Sequence, residues 1–329
     1  MVFLITSKTL LNPKMKNKYY LGIDTSNYTT SFALCDCNGR IVANIKKILD
    51  VKEGERGLRQ SDAVFSHIKN IPELSQMLSQ YLDNAELAGV GVSVTPRDIE
   101  GSYMPCFLAG KAVAYALAAT HNAPVYEFSH QSGHIMAALY SSNRASELLK
   151  GDFVAFHISG GTTEALYVHP QNNSFDVKII ADTADIRAGQ AIDRAGVMMG
   201  LKFPCGKEIE KLALDFEGKL PNCKISVKDG KCNLSGLENI ASKLYAETKD
   251  KSLVSAYVLD FVGKTLTRLT KDIREAHPGV PVLYAGGVMS NKILQNTLSA
   301  FENTYYATPE FSADNAAGVA ILAQRVDNK

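Results

Sequence analysis

Two histidines, His130 and His134, lie four residues apart in the stretch FSHQSGHIMAAL, at the head of an apolar run. If this segment is helical, residues at i and i+4 share one face one turn apart, so both imidazoles can point at one metal ion. The alternative is that they line or cap a helix without any ligand, because short motifs of this kind often occur by chance. The spacing therefore predicts a candidate metal site whose surroundings must decide between the two.

Three polar turns rich in Gly, Ser, Thr or Asn follow short apolar runs and have the sequences DTSNYTT, SGGTTE and AGGVMSN. Glycines beside hydroxyl side chains let backbone amides approach a phosphate, and the hydroxyls add donors. One such turn alone is equally well explained as a tight hairpin. Three of them favour a shared ligand, and Asn291 in the last turn would hydrogen-bond a ribose or a base.

Two carboxylates stand out by their position. Asp193 interrupts an otherwise apolar or small-residue helix in AIDRAG, although a simple surface pair with Arg194 or Arg187 would also explain it. Asp314 in FSADNAAG has the local pattern of an N-cap for the final helix. A metal would give Asp314 a second role.

The elements that must hold these residues are read from periodicity. YYLGI and TTSFALC are predicted strands around the first turn, DCNGR leads into a third strand, and GDFVAFHISGGTTEALYVHP repeats strand, turn, strand in kind. Each strand-turn-strand unit is followed by segments whose apolar residues recur at helical spacing. One predicted helix carries an apolar stripe formed by Ala188, Ile192, Ala195 and Met199. GKLPNCKISVKDGKCNLSG is expected to be a polar loop, and Leu237 to Ala276 one long helical segment.

These elements predict an α/β fold of two related lobes, with duplicated strand-turn-strand units and a ligand cleft between the lobes. The expected division is a tail at 1–17, a first lobe at 18–150 on which the closing helix at 313–329 packs back, and a second lobe at 151–312.

The composition is that of an ordinary globular protein, with 46% hydrophobic residues in a chain of 329. With 35 basic and 34 acidic residues, bulk charge would not hold it on nucleic acid, so any RNA contact must be local. The six cysteines show no C-x-x-C spacing and are expected to be free thiols in a reducing cytosol. No signal peptide or bilayer-crossing run is predicted, so a cytoplasmic protein without a membrane partner is expected.

Seven motifs follow one another from about Tyr19 onward: YLGIDTSNYTTSFAL, SHQSGHIMAAL, HISGGTTEALYV, DIRAGQAIDRAGVMMGLKFPCG, LSGL, YAGGVMSNKIL and SADNAAGVA. In their order and approximate spacing they resemble the TsaD family, the transferases that make N6-threonylcarbamoyladenosine in tRNA. The resemblance implies an actin-like, sugar-kinase-like ATPase fold. It also implies transfer of a threonylcarbamoyl group from threonylcarbamoyl-AMP to the N6 amine of adenosine in tRNA.

The resemblance further implies site residues. The metal, iron or zinc, would be held by His130, His134 and Asp314. The adenine nucleotide, threonylcarbamoyl-AMP or ATP, would be bound by Ile158, Ser159, Gly160, Gly161, Thr162, Asp193, Gly206 and Asn291. A possible phosphate turn comprises Asn27, Tyr28, Thr29 and Thr30. Besides tRNA, a smaller paralogous subunit and an ATPase subunit are implied partners.

Four positions depart from the family's usual pattern and are consistent with a divergent paralogue. Ser132 stands where Glu is usual, Thr162 where His is typical, Cys205 in place of Gly, and Glu238 in place of Lys.

A non-catalytic scaffold that binds nucleotide and metal therefore remains an alternative. A small-molecule kinase of the same superfamily is another, with Asp24 or Glu164 as its acidic residue, but it would not need the two histidines. A zinc protease fits poorly, since H-Q-S-G-H lacks the Glu of H-E-x-x-H.

Overall fold

The computed structural model describes residues 17–26, 28–50, 58–82, 85–171, 174–312 and 315–328. Over these residues the strands are β1 (Asn17–Asp24), β2 (Thr29–Asp36), β3 (Ile41–Ile48), β4 (Ala85–Thr95), β5 (Val125–Ser129), β6 (Phe153–Ile158), β7 (Thr163–Pro170), β8 (Phe175–Thr183), β9 (Ser226–Lys228), β10 (Lys231–Asn233), β11 (Val282–Ala285) and β12 (Thr304–Tyr306). The α-helices are α1 (Gln60–Ser79), α2 (Phe107–His121), α3 (His130–Ser141), α4 (Ala145–Leu148), α5 (Ala188–Met198), α6 (Gly206–Leu214), α7 (Gly236–Thr248), α8 (Lys251–Ala276), α9 (Lys292–Leu298) and α10 (Ala317–Asp327).

Residue contacts divide the chain into two compact units. Unit 1 takes the chain up to Ser141, residues 170–176 and the C-terminal helix, and unit 2 takes Ser142–His169 and Val177–Ser312. The lobe boundaries at residues 150 and 312 stay a prediction. Of the expected tail at 1–17, only Asn17 lies among the described residues, and β1 begins there.

The sheet of unit 1 has the strand order β3-β2-β1-β4-β5. The first three strands form an antiparallel meander, and β4 and β5 add in parallel beside β1. All eight residues of β2 are buried, including the polar Thr29, Thr30, Ser31 and Asp36, which requires cover on both faces of the strand. Helices α1 and α2 pack on this sheet, and α10 packs on α3 and on β1, β2 and β4.

The sheet of unit 2 has the order β12-β11-β6-β7-β8-β10-β9. Antiparallel β6 and β7 lie beside parallel β11 and β12, so its core pattern repeats that of unit 1. The rings of Phe156, Tyr284 and Tyr306 stack at centroid distances of 4.8 and 5.6 Å across β6, β11 and β12. The predicted α/β fold with duplicated strand-turn-strand units is confirmed.

Two expectations for unit 2 were wrong. The predicted long segment from Leu237 to Ala276 is two helices, because Lys249 is left-handed and Asp250 caps α8 by accepting from the amides of Ser252 and Leu253. The predicted polar loop contains the hairpin β9–β10. Its turn residues Asp229 and Gly230 have φ angles of 50° and 74°, the conformation that an Asp-Gly hairpin turn requires.

Sequence patterns also missed two strands, β5 and β8, and two helices, α4 and α6. Neither β5 nor β8 was expected, because VYEFS is short and the alternation of apolar and polar residues in FDVKIIADT breaks off at Ile179 and Ile180. Helix α6 begins at Gly206, a residue to which the family resemblance assigns only a ligand-binding role.

Candidate functional site

The two histidines lie in the first two turns of α3, which starts directly after β5 ends at Ser129. The Nε2 atoms of His130 and His134 are 2.8 Å apart, and the rings meet edge to face with centroids 4.2 Å apart. Two nitrogens bound to one tetrahedral ion at about 2.0–2.1 Å would lie about 3.3 Å apart, so a small rotation of either ring would satisfy a shared ion. The helical interpretation of the H-x-x-x-H spacing is confirmed.

Asp24 lies behind His130 at the end of β1. Its Oδ2 atom is 2.8 Å from Nδ1 of His130 and accepts from the hydroxyl of Ser93 at 2.5 Å, while Oδ1 accepts from the amide of Ser26 at 2.9 Å. The carboxylate is 1% exposed. Burial by itself raises the pKa of Asp24, but His130 and the hydrogen bonds from Ser26 and Ser93 hold it well below its usual range.

An ionised Asp24 fixes the tautomer of His130. The imidazole donates its Nδ1 proton to the carboxylate, which leaves the lone pair of Nε2 directed toward His134. A carboxylate behind a ligating histidine is the usual outer support of a metal site. Sequence reasoning considered Asp24 only as the acid of a kinase. The signal available was an acidic residue at the carboxyl end of a buried strand, where ligand-binding groups concentrate in α/β sheets.

The third predicted ligand, Asp314, lies outside the described residues. Within the described ranges, no group of three or more His, Cys, Asp or Glu side chains is arranged to hold a metal ion. Two imidazoles supported by a buried carboxylate nevertheless fit a borderline-soft divalent ion such as zinc or iron, because such ions take neutral imidazole nitrogen readily.

In the first polar turn, the hydroxyl of Thr30 is engaged within unit 1. Asn27 lies outside the described residues, Tyr28 is half-buried, and Thr29 and Thr30 are buried. The hydroxyl of Thr30 contacts Nδ1 of His67 at 2.9 Å and accepts from the side-chain Nδ2 of Asn70 at 3.3 Å. The side chain of Thr30 therefore points into unit 1.

The second polar turn joins β6 to β7 in unit 2 and is closed by a hydrogen bond from the amide of Ser159 to the carbonyl of Thr162 at 2.8 Å. Ile158, just before it, is fully buried in the core. The Ser159 hydroxyl accepts from the amides of Gly161 and Thr162, at 3.2 and 3.0 Å. A Cβ atom on Gly160 or Gly161 would meet nothing within 4 Å, so the space beside both glycines is open.

Asp193 and Gly206 lie close together at the junction of α5 and α6. Oδ1 of Asp193 accepts from the amide of Cys205 at 2.7 Å, one residue before α6 begins at Gly206. Burial raises the pKa of Asp193, and the Cys205 amide partly opposes that shift. The side chain of Cys205 is buried against Gly196, where a Cβ atom would overlap it. A side chain at position 205 is therefore accommodated by a glycine on the facing helix.

A cavity of about 450 Å³ adjoins Asp193. Its lining residues are Gln190, Asp193, Arg194, Val197, Met198, Phe203 and Glu238. Phe203 and Val197 are 69% and 54% exposed, so the cavity has an accessible apolar wall. Arg194 and Glu238 form an ion pair at 3.2 Å, which neutralises the negative charge that Glu238 brings. Such a cavity suits a flat ring with a polar edge.

The third polar turn follows β11. Gly286 has a φ of 100°, and a Cβ atom there would overlap the carbonyl of Ile158 on β6, so only glycine fits. Asn291 is buried and caps α9, with its Oδ1 accepting from the amide of Leu294 at 3.1 Å. The side-chain NH₂ of Asn291 is then the group that would donate to a ligand.

The sequence of the chain is similar to that of a known protein family over most of its length. Residues 41–321 match the family model described as TsaD, tRNA N6-adenosine threonylcarbamoyltransferase. The tRNA N6-adenosine threonylcarbamoyltransferase of Streptococcus pneumoniae strain CGSP14 is 29% identical over 299 residues, covering 87% of this chain and 84% of that protein. For the enzyme of serotype 2 strain D39, the match is 29% over 331 residues and covers 96% and 94%.

Solved structures show the same fold at low sequence identity. Component A of the Acidaminococcus fermentans (R)-2-hydroxyglutaryl-CoA dehydratase superposes with a TM-score of 0.54 at 17% identity, covering 94% of this chain and 99% of that one. A ROK family glucokinase from Streptomyces griseus gives 0.50 at 11% identity, covering 93% and 99%. These neighbours confirm the actin-like, sugar-kinase-like ATPase fold. Since the family model spans well over half of the sequence, the chain belongs to the TsaD family of tRNA N6-adenosine threonylcarbamoyltransferases.

Proposed function

We propose that the chain transfers a threonylcarbamoyl group from threonylcarbamoyl-AMP to the N6 amine of an adenosine in tRNA, and that His130, His134 and Asp314 hold one iron or zinc ion for this reaction. The observation that carries the proposal is the pair of Nε2 atoms 2.8 Å apart with the buried carboxylate of Asp24 behind them. A bound ion would supply Lewis-acid polarisation of an oxygen of the donor.

The chain's own residues orient the reactants. Asp24 keeps the Nδ1 proton on His130 and holds the ring in place. In unit 2, Asp193, Gly206 and Asn291 would bind the ribose and base, and Ser159 to Thr162 would lie along the acyl-phosphate. The amine then forms a bond to the carbamoyl carbon, the bond from that carbon to the phosphate oxygen breaks, AMP leaves, and the amine loses its proton to solvent. No covalent intermediate on the protein is required.

We further propose that transfer is specialised, with weaker activity toward tRNA than that of a housekeeping member. Ser132 does not supply the carboxylate that is usual at its position. Its hydroxyl donates a hydrogen bond to the carboxylate of Asp98 at 2.8 Å and lies 3.1 Å from the hydroxyl of Ser129. Thr162 lacks an imidazole. Glu238, in place of the usual Lys, should weaken binding of the donor less than an unpaired carboxylate would, because Arg194 pairs with it.

The chain would work with tRNA, a smaller paralogous subunit and an ATPase subunit in the cytoplasm. No described helix has the length and hydrophobicity needed to span a bilayer.

The test combines metal content with complementation. Protein purified without chelator should contain close to one iron or zinc per chain, and the His130→Ala, His134→Ala double variant should lose it. Asp24→Asn should weaken metal affinity about tenfold to a hundredfold, because it removes the outer support. The matched control is Asp152→Asn, which disrupts an exposed contact with His169 and should leave metal content unchanged.

In a strain depleted of its housekeeping enzyme, mass spectrometry of tRNA nucleosides should show partial restoration of N6-threonylcarbamoyladenosine by the wild-type chain and none by the double variant. Full restoration contradicts the specialised activity. No restoration, together with no transfer by the purified protein, favours the non-catalytic scaffold. Retention of metal by the double variant would place the metal elsewhere.

A further inference from the structure

The turn from Ser159 to Thr162 has open space beside it but few unused amide donors. Its Gly161 and Thr162 amides donate to the hydroxyl of Ser159. The first two amides of the adjoining helix α5 are also engaged, since Ala188 donates to Thr163 Oγ1 at 2.8 Å and Gly189 to the carbonyl of Ser159 at 3.1 Å. An anion beside this turn therefore needs most of its hydrogen bonds from side chains.

Arg187 supplies a positive charge at that place. It is the N-cap residue of α5, and its Nε donates to the carbonyl of Gly161 at 3.3 Å, while Nη1 reaches the carbonyl of Asp185 at 3.4 Å. Both are long contacts to neutral oxygens, so they position the guanidinium without neutralising it. Within the described part of the chain these contacts engage two of its five N–H donors, so three are left for a ligand. The start of α5 adds a favourable helix dipole for an anion.

The neighbouring carboxylate of Asp185 does not compete for this guanidinium. Its oxygens accept from the amides of Ile186 and Leu234, at 2.7 and 2.8 Å, and from the hydroxyl of Ser235 at 2.6 Å. The hydroxyl proton of Ser159 is the second donor beside the turn, because this oxygen already accepts two amides and can still donate.

We propose that Arg187 is a substrate-binding residue that holds an anionic group of the donor, its phosphate or the carboxylate of its threonyl moiety, beside the turn from Ser159 to Thr162. This inference rests on the proposed function, since it assumes that an adenine nucleotide occupies unit 2. A planar guanidinium can grip two oxygens of either group at once, which gives orientation as well as affinity.

The test is isothermal titration calorimetry on the full chain with three ligands: adenosine, AMP, and an adenosine conjugate in which a neutral linker replaces the phosphate and carries the threonyl carboxylate. Arg187→Ala should weaken binding of AMP, of the conjugate, or of both about tenfold or more and leave adenosine binding unchanged. The ligand that loses affinity identifies the anionic group. Arg187→Lys should recover part of the loss because it keeps the charge.

Arg268→Ala is the matched control, since it removes another guanidinium from unit 2, one that pairs with Asp272 on the surface of α8. Unchanged adenosine affinity in Arg187→Ala also shows that the variant is folded. Equal affinities of wild type and Arg187→Ala for both anionic ligands would overturn the inference while leaving the nucleotide site in place. If the wild type binds none of the three ligands, the proposed nucleotide site fails and the inference fails with it.

Discussion

His67 shows how one buried ionisable side chain ties the stability of unit 1 to pH. It is fully buried on α1, and its Nδ1 is hydrogen-bonded to the hydroxyl of Thr30. Its Nε2 is a buried atom without a hydrogen-bond partner among the described residues. Burial lowers the pKa of His67 from 6.5 to about 4, against the opposing attraction of the Asp24 carboxylate. The ring is therefore neutral in the folded protein at neutral pH.

The consequence is a loss of stability on acidification. Because the pKa is lower in the folded than in the unfolded chain, the unfolded chain binds the proton first as the pH falls. The stabilisation is complete above about pH 6.5 and declines by up to about 3 kcal/mol toward pH 4. Urea unfolding at pH 7, 6 and 5 should show a shallower decline for His67→Gln than for wild type. The exposed His121→Gln is the control, and an identical pH slope in all three proteins would contradict the assignment.

At the scale of elements, one carboxylate joins the end of β8 to the start of α7. Asp185 accepts from the backbone of Ile186, Leu234 and Ser235, and the hydroxyl of Ser235 adds a further bond. Burial alone raises the pKa of Asp185, but these N–H and O–H donors lower it well below its usual range. This carboxylate holds the hairpin β9–β10 and the first turn of α7 against β8.

Replacement of Asp185 should loosen that junction. Asp185→Ala leaves several donors without their acceptor and should cost about 2 to 3 kcal/mol of unfolding free energy. Asp185→Asn keeps one acceptor oxygen and should cost less. Asp182→Ala removes only a partly exposed ion pair with Lys231 on the same hairpin, so it should cost no more than about 1 kcal/mol. Urea denaturation measures all three, and an equal loss for the two alanine variants would contradict the assigned role.

At the scale of the whole chain, the last helix, α10, packs on the sheet of unit 1. The amide of Ala316 donates to the hydroxyl of Ser31 at 2.6 Å across 285 residues of sequence, and Asp327 accepts from Tyr20 at 2.6 Å and Tyr126 at 2.7 Å. Glycines permit this packing: a Cβ atom at Gly318 would overlap the carbonyl of Gly133 on α3. Helix α3, which carries both histidines, is therefore in backbone contact with α10.

Gly318→Ala should consequently destabilise unit 1. The added methyl group must separate α10 from α3, and overpacking of this kind costs about 1 to 3 kcal/mol or more. We expect a lower thermal midpoint and, because the two histidines lie on α3, weaker metal binding. Gly236→Ala, at the first residue of α7, adds a methyl group where nothing lies within 4 Å, and it should leave both quantities unchanged. A normal midpoint for Gly318→Ala would show that the helices can move apart freely.

Features that depend on local spacing could be predicted from the amino-acid sequence alone. The i, i+4 histidines of α3, the buried stripe of Ala188, Ile192, Ala195 and Met199, and the polar turns after apolar strands all occur in the structure as the patterns predicted. Helical periodicity and turn chemistry act over a few residues, so they can be read without knowledge of the fold. The fold class followed from repetition of the strand-turn-strand unit.

Short-range signals were nevertheless missed where two of them competed. Asp250 carries the side chain of an N-cap, but the continuous helical pattern on both sides outweighed it and predicted one helix instead of two. Likewise, the Asp229–Gly230 turn signal was lost within a segment that is polar throughout. In both places the backbone conformation depends on a single residue, which composition over a window does not resolve.

Which distant groups meet depends on the three-dimensional fold and could not be predicted from local patterns. Asp24 lies 106 residues from His130, and strand order alone brings the end of β1 beside the start of α3. Arg187 lies 26 residues from Gly161, and its contact with the turn depends on how α5 packs against β6 and β7. Hydrogen-bond partners at such separations follow from sheet topology and helix packing, which many non-local contacts fix together and no local pattern encodes.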